Sequence, residues 1–241
     1  MTESDFSAGV FPVDKPPGPT SFAMVQRIRR LLGIKKVGHA GTLDPFASGL
    51  LLICAGRPAT RHIETFMSGQ KTYQATIQLG RETTTLDPEG EVTAVRAVPA
   101  MSEQEIKALL IEFIGPRMQV PPAYSAVKHK GKPLYHYARK GITVEKEAKP
   151  IEIYAAALDK YDPDTAQLTF TVSCSRGTYI RVLAAEIGQQ LNCGGHLIQL
   201  RRTQSGGFAV DQAVDGNRLF SDEQGLSALM ESMLTVEQAL E

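Results

Sequence analysis

One carboxylate in this 241-residue chain is held more stiffly than a plain loop requires. Asp44 lies in GHAGTLDPFASGLL (38–51), with Gly38 and Gly41 before it, Pro45 directly after it and Gly49 beyond. Read alone, an Asp-Pro step among glycines starts a turn. The alternative is that a carboxylate held so stiffly does chemistry, and the rest of the chain has to decide between the two. Two further polar spots stand out. Tyr73 sits in an alternating apolar stretch, where a tyrosine is ordinarily core. SRGTYIR (175–181) puts Arg181 on the opening turn of a helix, where an arginine is ordinarily solvated. Functional groups collect at such strand-to-helix junctions, so neither reading closes the question.

Other chemistries lose their sequence warrant. The five histidines (39, 62, 129, 136 and 196) have no metal-ligand spacing, and neither G-x-G-x-x-G nor G-x-S-x-G occurs. The three cysteines (54, 174 and 193) are too few and too scattered for a disulfide framework or a zinc site. No cofactor and no metal is expected.

The elements that must position these residues follow from periodicity. TSFAMVQRIRRLLG (20–33) predicts a helix capped by Thr20 or Ser21 and ended by Gly33, with Phe22, Val25, Ile28 and Leu31 on one face. LLLICAG after the Asp44 loop predicts a buried strand, and PATRHIETFM a helix. TYQATIQLG (72–80) alternates as a half-buried strand, and LDPEGEV is a turn. SEQEIKALLIEFIG opens on a capping box, Ser102 with Glu105. IEIYAAAL and QLTFTVSCS predict strands, and TYIRVLAAEIGQQL a helix with Ile180, Leu183, Ala184, Ile187 and Leu191 inward. Residues 117–149 read as a long loop with a short helix at LYHYARKG. Without strict βαβ alternation, the fold class is α+β with a mixed, largely antiparallel sheet flanked by helices.

A net charge of zero conceals sorting along the chain. Residues 1–71 carry nine Lys/Arg against five Asp/Glu, and 117–149 carry eight against two. Residues 205–241 carry one against seven. The basic blocks permit a phosphate-facing surface. No run approaches a membrane span and the N-terminus lacks signal-peptide features, so a cytoplasmic protein without membrane contact is expected.

Six blocks in order then carry a resemblance. VDKPPGPTSF, GHAGTLDPFASGLLLICAGRPATR, KTYQATIQLG with TLDPEGEV, QVPPAYSAVKHKGKPLYHYARKGI, SRGTYIRVLAAEIG and CGGHLIQLRRTQSGGF resemble those of the bacterial tRNA pseudouridine-55 synthases, the tRNA pseudouridine synthase B family. The likeness covers 10–210 and continues more weakly to the end. It departs at Thr84, where members usually carry Asp while Asp87 is retained, and at Gly195, which replaces a common Ala.

The resemblance implies a pseudouridine-synthase-like catalytic domain over 1–210, with 117–149 as an RNA-gripping insertion. Residues 211–241 become an acidic helical tail, without the full C-terminal RNA-binding domain of many members. It implies isomerisation of uridine to pseudouridine at position 55 of the tRNA T-loop, on a flipped-out base. Asp44 becomes the nucleophile, attacking C6 of the base or C1′ of the ribose. Arg181 becomes its charge partner, and Tyr73 stacks on the base and helps remove the C5 proton. His39 fills the vacated space, Tyr179 and Leu200 wall the pocket, and Lys15 joins the substrate-binding set. Lys128, Lys130, Lys132, Arg139 and Lys140 supply charge for the RNA clamp. The implied partner is the T-arm of tRNA, met by a monomer with no obligate protein partner. Rivals are a guide-RNA-directed synthase, a non-enzymatic RNA chaperone and a plain globular domain with a turn at Asp44.

Overall fold

The computed structural model describes residues 6–125, 127–138, 140–142, 144–221 and 224–241. In chain order the first elements are β1 (Gly9–Lys15), α1 (Ser21–Leu32), β2 (Val37–Ala40), β3 (Ser48–Ala55), α2 (Arg57–Thr60) and α3 (Ile63–Ser68). Next come β4 (Lys71–Leu79), β5 (Arg81–Thr83), β6 (Val92–Val95), α4 (Glu103–Glu112) and β7 (Gly115–Gln119). The middle holds β8 (Lys128–His129), β9 (Lys132–Pro133), α5 (Leu134–Ala138), β10 (Lys149–Asp162), β11 (Gln167–Cys174) and α6 (Ile180–Gln190). The chain ends with β12 (Gly195–Ser205), β13 (Phe208–Ala209), β14 (Val214–Asp215) and α7 (Gly225–Glu231). Two compact units result, 1–73 with 200–241, and 74–199.

In the first unit β1 runs antiparallel to β3, and β2 pairs antiparallel with the other edge of β3. Arg201 and Arg202 add a parallel pairing to Ser48 and Gly49, and β14 lies parallel to β1. Val10, Leu50, Leu52, Cys54, Phe66 and Val236 form a core here. Each such aliphatic or aromatic side chain taken from water contributes about 1.5–3 kcal/mol. Helix α1 starts and stops as expected, with the Thr20 hydroxyl accepting from Ala23 N at 3.0 Å and Gly33 at φ 65. Its buried face differs from the expectation: Ser21, Met24, Val25, Ile28 and Leu32 point inward, while Phe22 is 54% exposed. Helices α2 and α3 replace the single helix expected at PATRHIETFM, with a break at Arg61 and His62. The 211–241 segment packs into this unit, with Leu219 and Leu229 buried and Leu234 exchanging backbone bonds with Val10 at 3.0 and 2.9 Å.

In the second unit β10 is flanked by β11 and β7, both antiparallel to it. Leu168, Phe170, Val172 and Cys174 alternate inward along β11. Ile180, Leu183, Ala184 and Ile187 recur at helical spacing and form the buried face of α6. The Ser102–Glu105 capping box opens α4, which packs on β10. The 117–149 segment is more ordered than a long loop. Residues up to Gln119 belong to β7, which pairs with β10, and β8 and β9 form a small hairpin. Lys130 and Gly131, at φ 48 and 81, make its two-residue turn, the left-handed pair that matches strand twist. The short helix expected at LYHYARKG is α5. The fold is α+β with mostly antiparallel pairing. Among the described residues no helix is long and apolar enough to cross a membrane.

Candidate functional site

Asp44 sits at the middle of the loop joining β2 to β3, and this loop is held on both sides of it. Ser21 both donates to the Leu43 carbonyl at 3.0 Å and accepts from Leu43 N at 2.9 Å. On the other side the Pro45 carbonyl accepts from Gly18 N at 2.8 Å and from Lys15 Nζ at 3.2 Å. The Lys15 ammonium also donates to the carbonyls of Pro16 and Pro19, both at 2.8 Å, and the residue is fully buried. Ala47 N closes the turn onto the Asp44 carbonyl at 3.1 Å. With the backbone fixed on both sides, the half-buried carboxylate has a defined position, which is what a reacting group requires. Lys15, expected among the substrate-binding residues, ties the Pro45 carbonyl of this loop to the Pro16 and Pro19 carbonyls of the segment between β1 and α1.

Arg181, in the second unit, is held by several hydrogen bonds. It is 4% exposed, although it lies one residue from the start of α6. Its Nη1 donates to Asp87 Oδ2 at 3.1 Å and to the Thr85 carbonyl at 2.9 Å, and its Nη2 to the Tyr124 carbonyl at 2.8 Å. Asp87 is equally buried. Its Oδ1 accepts from the Thr85 hydroxyl and from Glu89 N at 3.0 Å, so both carboxylate oxygens are engaged. A carboxylate partner offsets much of the cost of burying a guanidinium, and this one fixes the fork in direction as well as charge. In the sequence Asp87 reads only as a retained turn residue, because TLDPEG carries a turn signal. Only the fold supplies its contact 94 positions away.

Tyr73 on β4 and Leu200 on β12 are each 8% exposed and lie in the first unit with Asp44, His39 and Lys15. Tyr179 lies in the second with Arg181. The side chain of Gln119, 3% exposed, accepts from Tyr179 N at 2.8 Å and donates to the Tyr179 carbonyl at 3.2 Å. That reciprocal pair fixes the backbone at the N-terminus of α6, and nothing in the sequence announces it. His39 is held below the ordinary histidine range, first by burial and then by the charge of Arg202. Its Nδ1 is buried without a hydrogen-bond partner. Lys130 and Lys132 stand exposed on the β8–β9 hairpin, and Lys140 is exposed after α5. Lys128 begins β8, and Arg139 lies outside the described residues. Among the described residues no cluster of His, Cys, Asp and Glu could hold a metal ion.

Comparison with known proteins gives this geometry a context. A family profile described as TruB family pseudouridylate synthase (N terminal domain) matches residues 29–180. A second, described as tRNA pseudouridylate synthase B C-terminal domain, matches 181–241. A tRNA pseudouridine synthase B of Desulfotalea psychrophila is 52% identical over 240 residues, covering 98% of this chain and 97% of its own length. That of Ralstonia pickettii is 49% identical over 208 residues, covering 86% of this chain and 65% of its own. Among solved structures, a Cbf5-Nop10-Gar1 complex superposes with a TM-score of 0.72 at 29% identity, covering 96% of this chain and 61% of that one. An H/ACA RNP bound to a substrate RNA containing 2'-deoxyuridine gives a TM-score of 0.67 at 26% identity, covering 96% of this chain and 60% of that one.

Fold and relatives define an enzyme of the pseudouridine synthase class, an isomerase that converts uridine to pseudouridine. Within that class the chain belongs to the TruB family of pseudouridylate synthases.

Proposed function

We propose that this protein isomerises uridine 55 in the T-loop of tRNA to pseudouridine, with Asp44 as the nucleophile. In this reaction the bond from uracil N1 to ribose C1′ breaks, a C5–C1′ bond forms, C5 loses a proton and N1 gains one. Redox state is unchanged, and the chemistry needs a nucleophile that can leave again. The observation that carries the reading is the Asp44 loop, pinned through Ser21 on one side and Lys15 and Gly18 on the other. A carboxylate fixed that firmly suits attack on C6 of the base or C1′ of the ribose, on a nucleotide flipped from its loop.

The remaining roles follow the family resemblance. Arg181, oriented by Asp87, is the cation that keeps Asp44 ionised. Tyr73 stacks on the base and assists loss of the C5 proton, and Tyr179 and Leu200 wall the pocket. His39 fills the vacated space, and its lowered pKa lets it do so uncharged. Lys130 and Lys132 on the exposed hairpin, with Lys128, Arg139 and Lys140, grip phosphates of the T-arm. On this reading 1–210 is the catalytic body and 211–241 its appended tail, the enzyme acts as a cytoplasmic monomer, and no cofactor takes part. Incubating the protein with an unmodified tRNA transcript and mapping pseudouridine tests it. Conversion confined to the T-loop uridine is expected, and conversion only at other positions, or none, overturns it.

A further inference from the structure

Among the described residues Arg202 is the largest fully buried side chain, at 1% exposed, and its cation sits at the root of the Asp44 loop. Its Nε donates to the Leu50 carbonyl of β3 at 2.7 Å, and its Nη2 to the Gly41 carbonyl, just past β2, at 3.1 Å. Its backbone pairs with Gly49, where β3 begins. Gly49 has φ +104, and a Cβ there would run into the Arg202 backbone, with its amide nitrogen 2.6 Å away. Both arms of the loop therefore close on this one residue. Gly41, at φ +86, faces the same guanidinium: a Cβ there would lie 3.3 Å from Nη1. Among the described residues no acidic side chain pairs with Arg202, so its charge is held by carbonyl dipoles alone. A buried guanidinium without a carboxylate is an expensive way to tie two strands.

We infer that Arg202 is a positioning residue for the reaction: its fork sets the separation of Gly41 and Leu50, and so the place of Asp44. Asp44 stands three residues beyond Gly41, on a short lever from this root. A shift of about 1 Å in a reacting group costs on the order of a hundredfold in rate. Guanidinium geometry matters because the two carbonyls are met by N–H groups on two different nitrogens held at a fixed spacing, which the single nitrogen of a lysine ammonium does not reproduce. The inference rests on the reading of Asp44 as the reacting carboxylate.

The test is single-turnover release of tritium from a transcript labelled at uracil C5, with Arg202→Lys, Gly41→Ala and the double variant. Rates are taken per folded molecule, and RNA affinity is measured in parallel. Arg202→Lys is expected to lower the rate roughly a hundredfold while leaving the RNA Kd within about threefold, and the double variant is expected to be little worse than the worse single one. A merely structural role predicts a lower melting temperature with an intact rate per folded molecule, and that result overturns the inference. Should Arg202→Lys fail to fold, Gly41→Ala decides: a slowed rate with intact RNA binding supports the inference, and a full rate sinks it. Asp44→Asn run alongside separates the two claims: activity in that variant defeats the nucleophile reading and this inference with it, whereas an inactive Asp44→Asn beside a full rate in Arg202→Lys defeats this inference alone.

Discussion

Replacing Asp87 with asparagine removes the negative charge of the buried Arg181–Asp87 pair, leaving the guanidinium uncompensated by Asp87, while keeping the shape. Both side chains are 4% exposed and meet at 3.1 Å. Deleting one partner of such a pair outright costs about 3–5 kcal/mol. Asparagine keeps one amide oxygen able to accept from Arg181, or from the Thr85 hydroxyl and Glu89 N, so a cost of about 2–3 kcal/mol is expected. For a chain of this size, at about 2–4 °C per kcal/mol, the melting temperature falls by roughly 4–12 °C. Thermal denaturation of Asp87→Asn beside Glu103→Gln is the assay. Glu103 pairs with Lys107 at a similar 3.0 Å, but in solvent, and is expected to shift the midpoint by no more than about 1–2 °C. Equal shifts for the two variants would refute the argument from burial. On the proposed mechanism Asp87→Asn also slows turnover while RNA affinity holds, because the orientation of Arg181 is lost and the phosphate contacts are not.

Three further outcomes are expected. His39 titrates below its ordinary value near 6.5, so the unfolded chain binds the extra proton first, and this residue's contribution to stability is present above that pH and lost as the pH falls below it; a midpoint at or above 6.5 in an NMR titration would contradict this. Cys54 is fully buried with its thiol pushed up to about 12, so iodoacetamide at pH 8 should label it only after denaturation, and labelling of the native protein would count against that burial. Alanine at Lys128, Lys130 and Lys132 should flatten the salt dependence of T-arm binding by up to about three phosphate contacts, and an unchanged slope would remove the hairpin from the RNA clamp.

Much of the fold is legible in the sequence because its signals are local. Thr20 and Gly33 bound α1, Ser102 with Glu105 opens α4, and strict alternation marks β11. The face of α1 differs from the expected one because an i, i+3 count favours Phe22, whereas Ser21 is drawn inward by Leu43, which no period reveals. The β8–β9 hairpin is hidden because two-residue strands are too short to alternate, although Lys-Gly at its turn is a usable signal. β7, with the sequence GPRMQ, has no apolar pattern and is a strand because β10 pairs with it. The candidate site divides the same way. Asp44 is visible through its glycines and Pro45, while the burial of Arg181 and Arg202 depends on carbonyls and carboxylates distant in sequence.

The identity of the nucleophile is tested most directly by Asp44→Asn, an isosteric change that removes only the charge and nucleophilicity of one side chain. Folded variant and wild type are each incubated with unmodified tRNA, and pseudouridine at the T-loop uridine is quantified over time. The account predicts rapid conversion by the wild type and none by Asp44→Asn, with RNA affinity within about threefold because the phosphate contacts are untouched. Conversion by the folded variant at a rate near that of the wild type would contradict it.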